Sequence, residues 1–244
     1  MATDPLPRAP WAVAMRWSRL LFCHWPVPVA ALRPHVPPLL DIDTFDGDAW
    51  LAVVPFTMPV VRPRLTPPLG FGPGAFHELN VRTYVTYRGE PGVWFFSLDA
   101  ASATGVEVGR ATMSLAYHRA RMRLEETAGT VRYASDRTDP RAPAAAFRAV
   151  YARTGPGRPS EPGTLEHFLT ERYRMYTSDL APRAPRRLWV GGVEHAPWRL
   201  APAECDITTN TMTLPLGVDV SGRAPLLHAA EPLDVRGTLR RRLV

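Results

Sequence analysis

Hydrophobic and polar residues alternate along much of the chain, which predicts short β-strands. The alternation is cleanest over residues 119–125, where three arginines and a glutamate are interleaved with Ala120, Met122 and Leu124. Successive side chains of a strand point to opposite sides, so we expect one face of this segment to meet water and the other to meet a core. A turn at residues 128–129 is expected to lead back into a strand over 130–133.

The same pattern predicts the other elements. Residues 76–85 and 93–98 predict a β-hairpin around a tight turn at 88–92. Because 93–98 is apolar on both faces, we expect it to be a central strand. Further strands are predicted at 15–25, 49–54, 106–115, 188–190 and around Trp198. Helical segments are predicted at 29–32, 144–152 and 165–169, with Thr164 as the cap of the last, and residues 59–73 predict a long loop.

The composition favours a single domain, residues 1–244, of the mainly β (β-rich α+β) class with a few short helices. The chain has 244 residues, of which 45% are hydrophobic and 21% charged, values that suit a globular protein with a substantial core. Its 27 prolines block helix interiors and central strands. We therefore expect short strands joined by stiff turns.

The basic residues narrow the possible chemistry. The formal net charge is +6, and all 29 basic residues are arginine, because the sequence contains no lysine. No side-chain amine is then available for a Schiff base. The arginines are dispersed and accompany no nucleic-acid-binding motif, so we expect no nucleic-acid partner.

The two cysteines and the N-terminal sequence predict a cytoplasmic protein. Residues 1–5 lack the basic stretch and apolar core of a secretory signal, and no apolar run approaches the roughly 20 residues of a membrane helix. We therefore expect no membrane partner, and reduced thiols rather than a disulfide at Cys23 and Cys205.

Familiar cofactor and metal motifs are missing from the sequence. It contains no glycine-rich phosphate loop, His-Glu-x-x-His, Cys-x-x-Cys or Gly-x-Ser-x-Gly. Cys23 and His24 are adjacent, but no second pair has metal-ligand spacing. We expect neither a metal site nor a cofactor.

The most informative segment is the strand predicted over residues 76–85. It places Glu78, Asn80, Arg82 and Tyr84 on one face. Alternate residues stand roughly 6.6 Å apart, so Glu78 and Arg82 are about 13 Å apart and would converge on a ligand or on neighbouring strands rather than on each other. If the face points inward, it forms a polar site; if it points outward, these are surface residues. The pattern alone leaves both interpretations open.

Several motifs resemble those of the DUF2071, or YqjF-like, family of bacterial proteins over nearly the whole chain. The matching segments are FCHWPV at 22–27, 39–47, VPF at 54–56, ELNVRTYV at 78–85, FFSLDA at 95–100, LTERY at 169–173 and HAPW at 195–198. The fold of this family is similar to that of acetoacetate decarboxylase. The resemblance therefore implies an antiparallel, cone-shaped β-barrel with a central ligand cavity.

In acetoacetate decarboxylase a lysine forms a Schiff base with the substrate, and glutamates and an arginine shape the pocket. The nearest counterparts of the segment that carries this lysine are 109–111 and 114–118, which places Tyr117 or His118 at the lysine position. Glu78 is the best candidate for a pocket glutamate. Because this chain lacks lysine, Schiff-base decarboxylation is excluded.

The polar strand face and the family resemblance together predict a set of candidate site residues. The catalytic candidates are Glu78, Tyr117 and His118, and the substrate-binding candidates are Arg82, Asn80, Tyr84, Asp99, Arg110 and His195. Asp99 could instead cap a turn, and His195 could simply pack beside Trp198.

Three functional hypotheses remain. The first is a barrel that binds a small carboxylate or oxo-acid, with Arg82 holding the carboxylate and Glu78 and Tyr117 or His118 acting as acid and base. The second is a non-catalytic binding protein or sensor, and the third is a structural barrel without a small-molecule site. A homo-oligomer is compatible with the sequence, which does not decide the oligomeric state.

Overall fold

Strands make up more than half of the residues that the computed structural model describes, which are 11–64, 75–179 and 187–244. The strands are β1 (Trp11–Ser18), β2 (Leu20–Val27), β3 (Asp41–Ile42), β4 (Ala49–Pro63), β5 (Phe76–Tyr87), β6 (Glu90–Ala100), β7 (Tyr117–Thr127), β8 (Thr130–Arg137), β9 (Ala146–Arg153), β10 (Arg158–Pro159), β11 (Arg174–Ser178), β12 (Leu188–Glu194), β13 (Arg199–Ala201), β14 (Ala203–Asn210), β15 (Leu226–Ala230), β16 (Leu233–Thr238) and β17 (Arg241–Arg242).

The helices are few and short. They are α1 (Val29–Leu32), α2 (Ala103–Met113), α3 (Leu165–Thr170) and two single 3-10 turns, Arg33–His35 and Leu214–Leu216. The predicted mainly β class with a few short helices is therefore confirmed.

Strand pairing links most of the chain into one continuous network. Successive pairs lead from β4 through β5, β6, β11, β12, β16 and β1 back to β4. Nearly all pairs are antiparallel, but β6 is parallel to both β7 and β11. The central position predicted for residues 93–98 follows from these neighbours and is confirmed. The cone shape and central cavity of the expected barrel stay predictions.

A four-stranded antiparallel sheet of β7, β8, β9 and β14 covers one side of this network. Its inner face packs Tyr133, Phe147 and Tyr151 against Leu79 and Val81 of β5 in the largest hydrophobic core cluster. Burial of side chains of this size stabilises the fold by about 1.5–3 kcal/mol each. The alternation predicted for residues 119–125 is confirmed, because the charged positions are exposed and Ala120 is buried.

The hairpin between β5 and β6 contains a β-bulge. Val81 pairs with Ser97 and Arg82 with Phe95, which leaves Phe96 as an extra residue on β6. The turn itself lies at Arg88 and Gly89, which both have positive φ, as a tight hairpin turn requires. The bulge leaves the alternation of β5 intact, so its even-numbered residues stay on one face.

Two secondary-structure predictions were wrong. Residues 106–115 belong largely to the helix α2, which begins where the Ser102 side chain accepts a hydrogen bond from Gly105 N and ends before Ser114, at φ 50°. Residues 144–152 lie largely in strand β9, although alanine favours helices. There Phe147 and Tyr151 are buried at alternating positions, so tertiary packing overrides the local propensity.

Two boundaries were also wrong. Residues 15–25 form two strands rather than one, because Arg19, with φ 53°, breaks the chain between β1 and β2. Strand β4 continues to Pro63, into the loop predicted at 59–73, and residues 65–74 lie outside the described part. The short helix at 29–32 and the Thr164 cap of α3 are confirmed.

Within the described ranges, no helix combines the length and the apolar character needed to cross a membrane.

Candidate functional site

The polar face of β5 points into the protein. Glu78 is 3% exposed, Asn80 5% and Tyr84 0%, while Arg82 is half-buried. In the antiparallel pairing their neighbours on β4 are apolar, with Phe56 opposite Glu78. The interpretation of this row as a solvated surface was therefore wrong, and the row supplies buried polar groups that need partners.

Glu78 finds its partner in Tyr117. The Tyr117 hydroxyl donates a hydrogen bond of 2.9 Å to Oε2 of Glu78. Burial raises the pKa of Glu78 to about 8, the Tyr117 hydrogen bond acts against this shift, and the nearby Asp99 adds to it. Burial and the Glu78 carboxyl also raise the pKa of Tyr117 well above its usual value. Both groups therefore keep their protons near neutral pH, and the pair can donate a proton to a ligand.

The register of β7 separates the two residues that the resemblance left open. Tyr117 pairs with Leu98 and His118 with Asp99, so their side chains lie on opposite faces. Tyr117 shares the face of Glu78. His118 lies beside Arg137, and burial together with that charge lowers the pKa of His118 to about 4. The structure thus brings Tyr117, and not His118, to Glu78.

Helix α2 positions Tyr117. A Cβ atom added to Gly109 would lie 2.6 Å from two ring carbons of Tyr117, so the ring packs directly on the helix backbone. Nη1 of Arg110 donates a hydrogen bond of 2.9 Å to the carbonyl oxygen of Tyr117. The contact of Arg110, a predicted binding residue, is therefore with the protein backbone.

Asp99 is bound by Arg137, which was not among the predicted site residues. Nε of Arg137 donates to both Asp99 oxygens at 3.0 and 3.1 Å, and Nη2 donates to Oδ1 at 2.7 Å and to Ser97 at 2.9 Å. Burial raises the pKa of Asp99, and the hydrogen bonds from Arg137 oppose the shift. The alternation of β8 could have revealed Arg137, because it shares the parity of the buried Tyr133 and Ser135.

Arg82 forms the centre of a second polar group. Its guanidinium lies 5.2 Å from the ring centroid of Phe22 and 5.7 Å from that of Tyr84. Within the described part of the chain, Nε of Arg82 and Oδ1 of Asn80 are buried without a hydrogen-bond partner. An unsatisfied buried donor of this kind is costly, and a ligand carboxylate would satisfy it.

Tyr84 and His24 support this group. The Tyr84 hydroxyl lies 2.6 Å from Nε2 of His24, and both side chains are fully buried. Burial and the charge of Arg82 lower the pKa of His24 well below its usual value, so this imidazole is neutral near pH 7. The surroundings of Arg82 therefore contain aromatic and neutral polar groups.

The segment that follows α3, residues 171–173, borders the candidate site on another side. Nη1 of Arg172 donates a hydrogen bond of 2.6 Å to Asp43, and its guanidinium lies 4.2 Å from the Phe168 ring centroid. The Glu171 carboxylate accepts from Trp198 N at 2.9 Å and also from the Tyr173 hydroxyl. Arg172 is thus paired with a distant carboxylate rather than with its neighbour.

His195 lies beside this segment. Its ring is 4.7 Å from that of Tyr173 and 4.8 Å from that of Trp198. Burial lowers the pKa of His195, while Glu171 raises it and Arg82 adds to the lowering. The predicted residue His195 is therefore close enough to Arg82 for the charge of Arg82 to affect its pKa.

Two further observations concern metal ligands and grooves. In the ranges that the structure describes, no three His, Cys, Asp or Glu side chains are placed to hold a metal ion. A groove of about 420 Å³ reaches Leu115 and Ala116, just before Tyr117, but Glu78 and Arg82 are not among its lining residues.

Comparison with known proteins identifies relatives in sequence and in fold. The model of the DUF2071 family, described as an uncharacterized conserved protein, matches residues 14–234. The uncharacterized protein YqjF of Bacillus subtilis (strain 168) is 39% identical over 230 residues, which cover 94% of this chain and 92% of YqjF.

Two solved structures share the fold at low identity. The enduracididine biosynthesis enzyme MppR complexed with pyruvate has a TM-score of 0.65 and 14% identity, and the match covers 98% of this chain and 92% of MppR. Acetoacetate decarboxylase from Legionella pneumophila has a TM-score of 0.63 and 14% identity, with 100% and 93% covered. The expected likeness in fold to acetoacetate decarboxylase is thereby confirmed, while the cone-shaped barrel with its cavity stays a prediction, and the chain belongs to the DUF2071 family.

Proposed function

We propose that this protein binds a small 2-oxo acid and transfers a proton next to the substrate carbonyl without Schiff-base chemistry. The observation that carries the proposal is the buried pair of Glu78 and Tyr117, hydrogen-bonded at 2.9 Å. A carboxyl whose pKa is about 8 exchanges its proton readily near neutral pH, which suits general acid–base catalysis.

Arg82 supports the choice of a carboxylate ligand. Its buried Nε lacks a partner among the described residues, and a planar guanidinium matches a carboxylate in geometry and charge. Glu78 and Arg82 are about 13 Å apart along β5, so the ligand would lie beside Asn80, between the two side chains. The pyruvate complex of MppR, a protein of the same fold, makes a short 2-oxo acid a reasonable first probe.

In this proposal the residues have distinct roles. Arg82 binds the carboxylate, and when the ligand is bound the Tyr117 hydroxyl donates its single hydrogen bond to the carbonyl oxygen instead of to Glu78. Below pH 8 Glu78 is mainly an acid, and above pH 8 it is mainly a base that accepts a proton from the carbon next to the carbonyl. Enolisation is the simplest reaction of this kind, while dehydration and hydrolysis would use the same groups.

The test uses pyruvate in deuterated water. Calorimetry measures binding, and proton NMR measures deuterium uptake into the methyl group. We expect Arg82→Gln to weaken binding at least tenfold, and Glu78→Gln to bind pyruvate but exchange its protons about a hundredfold more slowly. Arg123→Gln, on an exposed face of β7, is the matched control and should leave both quantities unchanged.

Two other outcomes are informative. Failure of the wild-type protein to bind pyruvate or any member of a panel of short carboxylates contradicts the proposal. Binding without exchange favours the second hypothesis, a non-catalytic binding protein. That hypothesis draws support from the near-complete burial of Glu78, Asn80 and Tyr84, which suits retention of a ligand.

A further inference from the structure

The two cysteines of the chain meet in space although 181 residues separate them in sequence. Cys23 is fully buried in strand β2, and Cys205 is half-buried in strand β14. Both are reduced, and their side chains are hydrogen-bonded to each other. Cys205 packs against the same core cluster that contains Cys23. Their separation in sequence gives no indication of this contact.

The contact joins two layers of the fold. Cys23 pairs with Val53 of β4 and Leu227 of β15, whereas Cys205 pairs with Tyr151 of β9 in the four-stranded sheet. The two sulfur atoms therefore belong to different sheets that pack face to face. An S–S bond is about 2 Å long and joins residues whose Cα atoms are usually about 4.4–6.8 Å apart, so its formation requires the two sulfur atoms to move from hydrogen-bond contact to bonding distance.

The two thiols differ in exposure, which assigns their roles: Cys23 is fully buried and Cys205 is only half-buried. Burial raises the pKa of the Cys23 thiol. The hydrogen bond from Cys23 instead lowers the pKa of Cys205, which is also the more exposed of the two. The thiolate is the nucleophilic form of cysteine, so Cys205 is the thiol that an oxidant meets first, with Cys23 held next to it.

We propose that Cys23 and Cys205 form a reversible intramolecular disulfide when the protein meets a peroxide. The Cys205 thiolate attacks one oxygen of hydrogen peroxide, the O–O bond breaks, and the leaving hydroxide takes a proton to become water. The resulting sulfenic acid is attacked by the Cys23 sulfur, the S–O bond breaks, and a second water leaves with the Cys23 proton. In total, two thiols and one peroxide give one disulfide and two waters.

The disulfide would fix β2 relative to the four-stranded sheet. Strand β2 also carries Phe22 and His24, one residue to either side of Cys23, and both contact the surroundings of Arg82. The oxidised protein would therefore hold one wall of the candidate site against β14. This inference is independent of the proposed function, because it needs no substrate.

The test exposes the full chain to a small molar excess of hydrogen peroxide. We expect the intact mass to fall by two hydrogen atoms, both thiols to disappear from titration of the unfolded protein, and dithiothreitol to restore them. A peptide map without reduction should show the segment around residue 23 linked to the segment around residue 205. Addition of oxygen to Cys205 while Cys23 stays free overturns the proposal, as does a link between separate chains.

Single variants test the order of the steps. In Cys23→Ser, Cys205 should stop at the sulfenic acid and be captured by dimedone. In Cys205→Ser, the buried Cys23 should survive the same peroxide treatment. If Cys23 is oxidised there as fast as in the wild type, the assignment of Cys205 as the attacking thiol is wrong. Cys23→Ala serves as a second variant, because a buried serine hydroxyl can disturb the core.

Discussion

The hydroxyl of Tyr117 donates a 2.9 Å hydrogen bond to Oε2 of Glu78, so two groups that hold their protons near neutral pH share one buried contact. Neither residue neighbours the other in sequence. Glu78 lies in strand β5, and Tyr117 begins strand β7, after helix α2. The pair accounts for two otherwise unsatisfied polar groups and makes the stability of the protein sensitive to pH.

Ionisation of Glu78 should destabilise the folded protein. Burial raises its pKa from 4.5 to about 8, so the folded state holds a proton that the unfolded state releases between these values. Stability from this group is therefore complete below pH 4.5 and is lost as pH rises towards 8, with a total on the order of 5 kcal/mol. Glu78→Gln should remove this loss.

Urea unfolding of both proteins at pH 5, 7 and 9 measures the effect. The difference between wild type and Glu78→Gln should shift in favour of the variant as pH rises. Glu125→Gln, which removes an exposed carboxylate from β7, is the matched control and should follow the wild-type curve. Parallel curves for wild type and Glu78→Gln would count against a buried, protonated Glu78.

Asp99→Asn should destabilise the protein by about 3–5 kcal/mol. The substitution leaves the Arg137 guanidinium buried without its carboxylate, and the two side chains are only 0% and 2% exposed. Asp136→Asn is the matched control, because the side chains of Arg148 and Asp136 in their pair are 44% and 31% exposed, and the pair should be worth less than about 1 kcal/mol.

The double variant Asp99→Leu with Arg137→Met separates charge from packing. We expect it to recover most of the loss, since an apolar pair of similar volume avoids burying a charge. Urea unfolding gives the free energy of unfolding of Asp99→Asn, Asp136→Asn and the double variant. An Asp99→Asn variant no less stable than Asp136→Asn would refute the structural role of the pair.

Asp43→Asn should cost about 2 kcal/mol. Asp43 accepts a charge-assisted hydrogen bond of 2.6 Å from Arg172, whose side chain is only 5% exposed. Asp234→Asn makes the same change in an exposed pair with Arg16 and should cost little. Thermal unfolding of both variants tests the difference, and equal midpoints would mean that Arg172 does not depend on Asp43.

Gly109→Ala should displace the ring of Tyr117. The new Cβ would lie 2.6 Å from two ring carbons, and relief of such overlap typically costs about 1–3 kcal/mol. Gly155→Ala adds the same methyl group where the nearest atom, in Pro202, is 3.5 Å away, and should be close to neutral. Because Tyr117 would move away from Glu78, Gly109→Ala should also weaken pyruvate binding more than Gly155→Ala does. Equal effects of the two substitutions would contradict the packing of the ring on α2.

The strand β5 illustrates what alternation can predict. Its even-numbered polar residues do share one buried face, because no bulge interrupts β5 itself. Strand β6 changes its parity. Before the bulge, the odd-numbered Val93 and Phe95 lie on the same face as Tyr84. After the extra residue Phe96, the even-numbered Leu98 lies on that face. A change of parity at a bulge cannot be read from one strand alone, because it depends on the pairing with the next.

The contact between Glu78 and Tyr117 was only partly predictable. Both residues were candidates, but the resemblance did not choose between Tyr117 and His118. The choice depends on the parallel register of β6 and β7, which are connected through α2, a helix whose sequence alternates like a strand. The alternation of β8 indicates that Arg137 is buried, but its role depends on a carboxylate from a different strand, which the sequence of one strand cannot show.

The parallel pairing of β6 with β7 bears on the order in which the chain folds. The β5–β6 hairpin closes through a two-residue turn, and hairpins form in about 1–10 μs. Strand β7 pairs with β6 only after residues 101–116 have formed α2 and brought the chain to the edge of β6 opposite β5. This non-local step is slower than closure of the hairpin. We therefore expect Tyr117→Phe to have a φ-value near zero in folding kinetics, because the polar pair closes after the folding nucleus has formed.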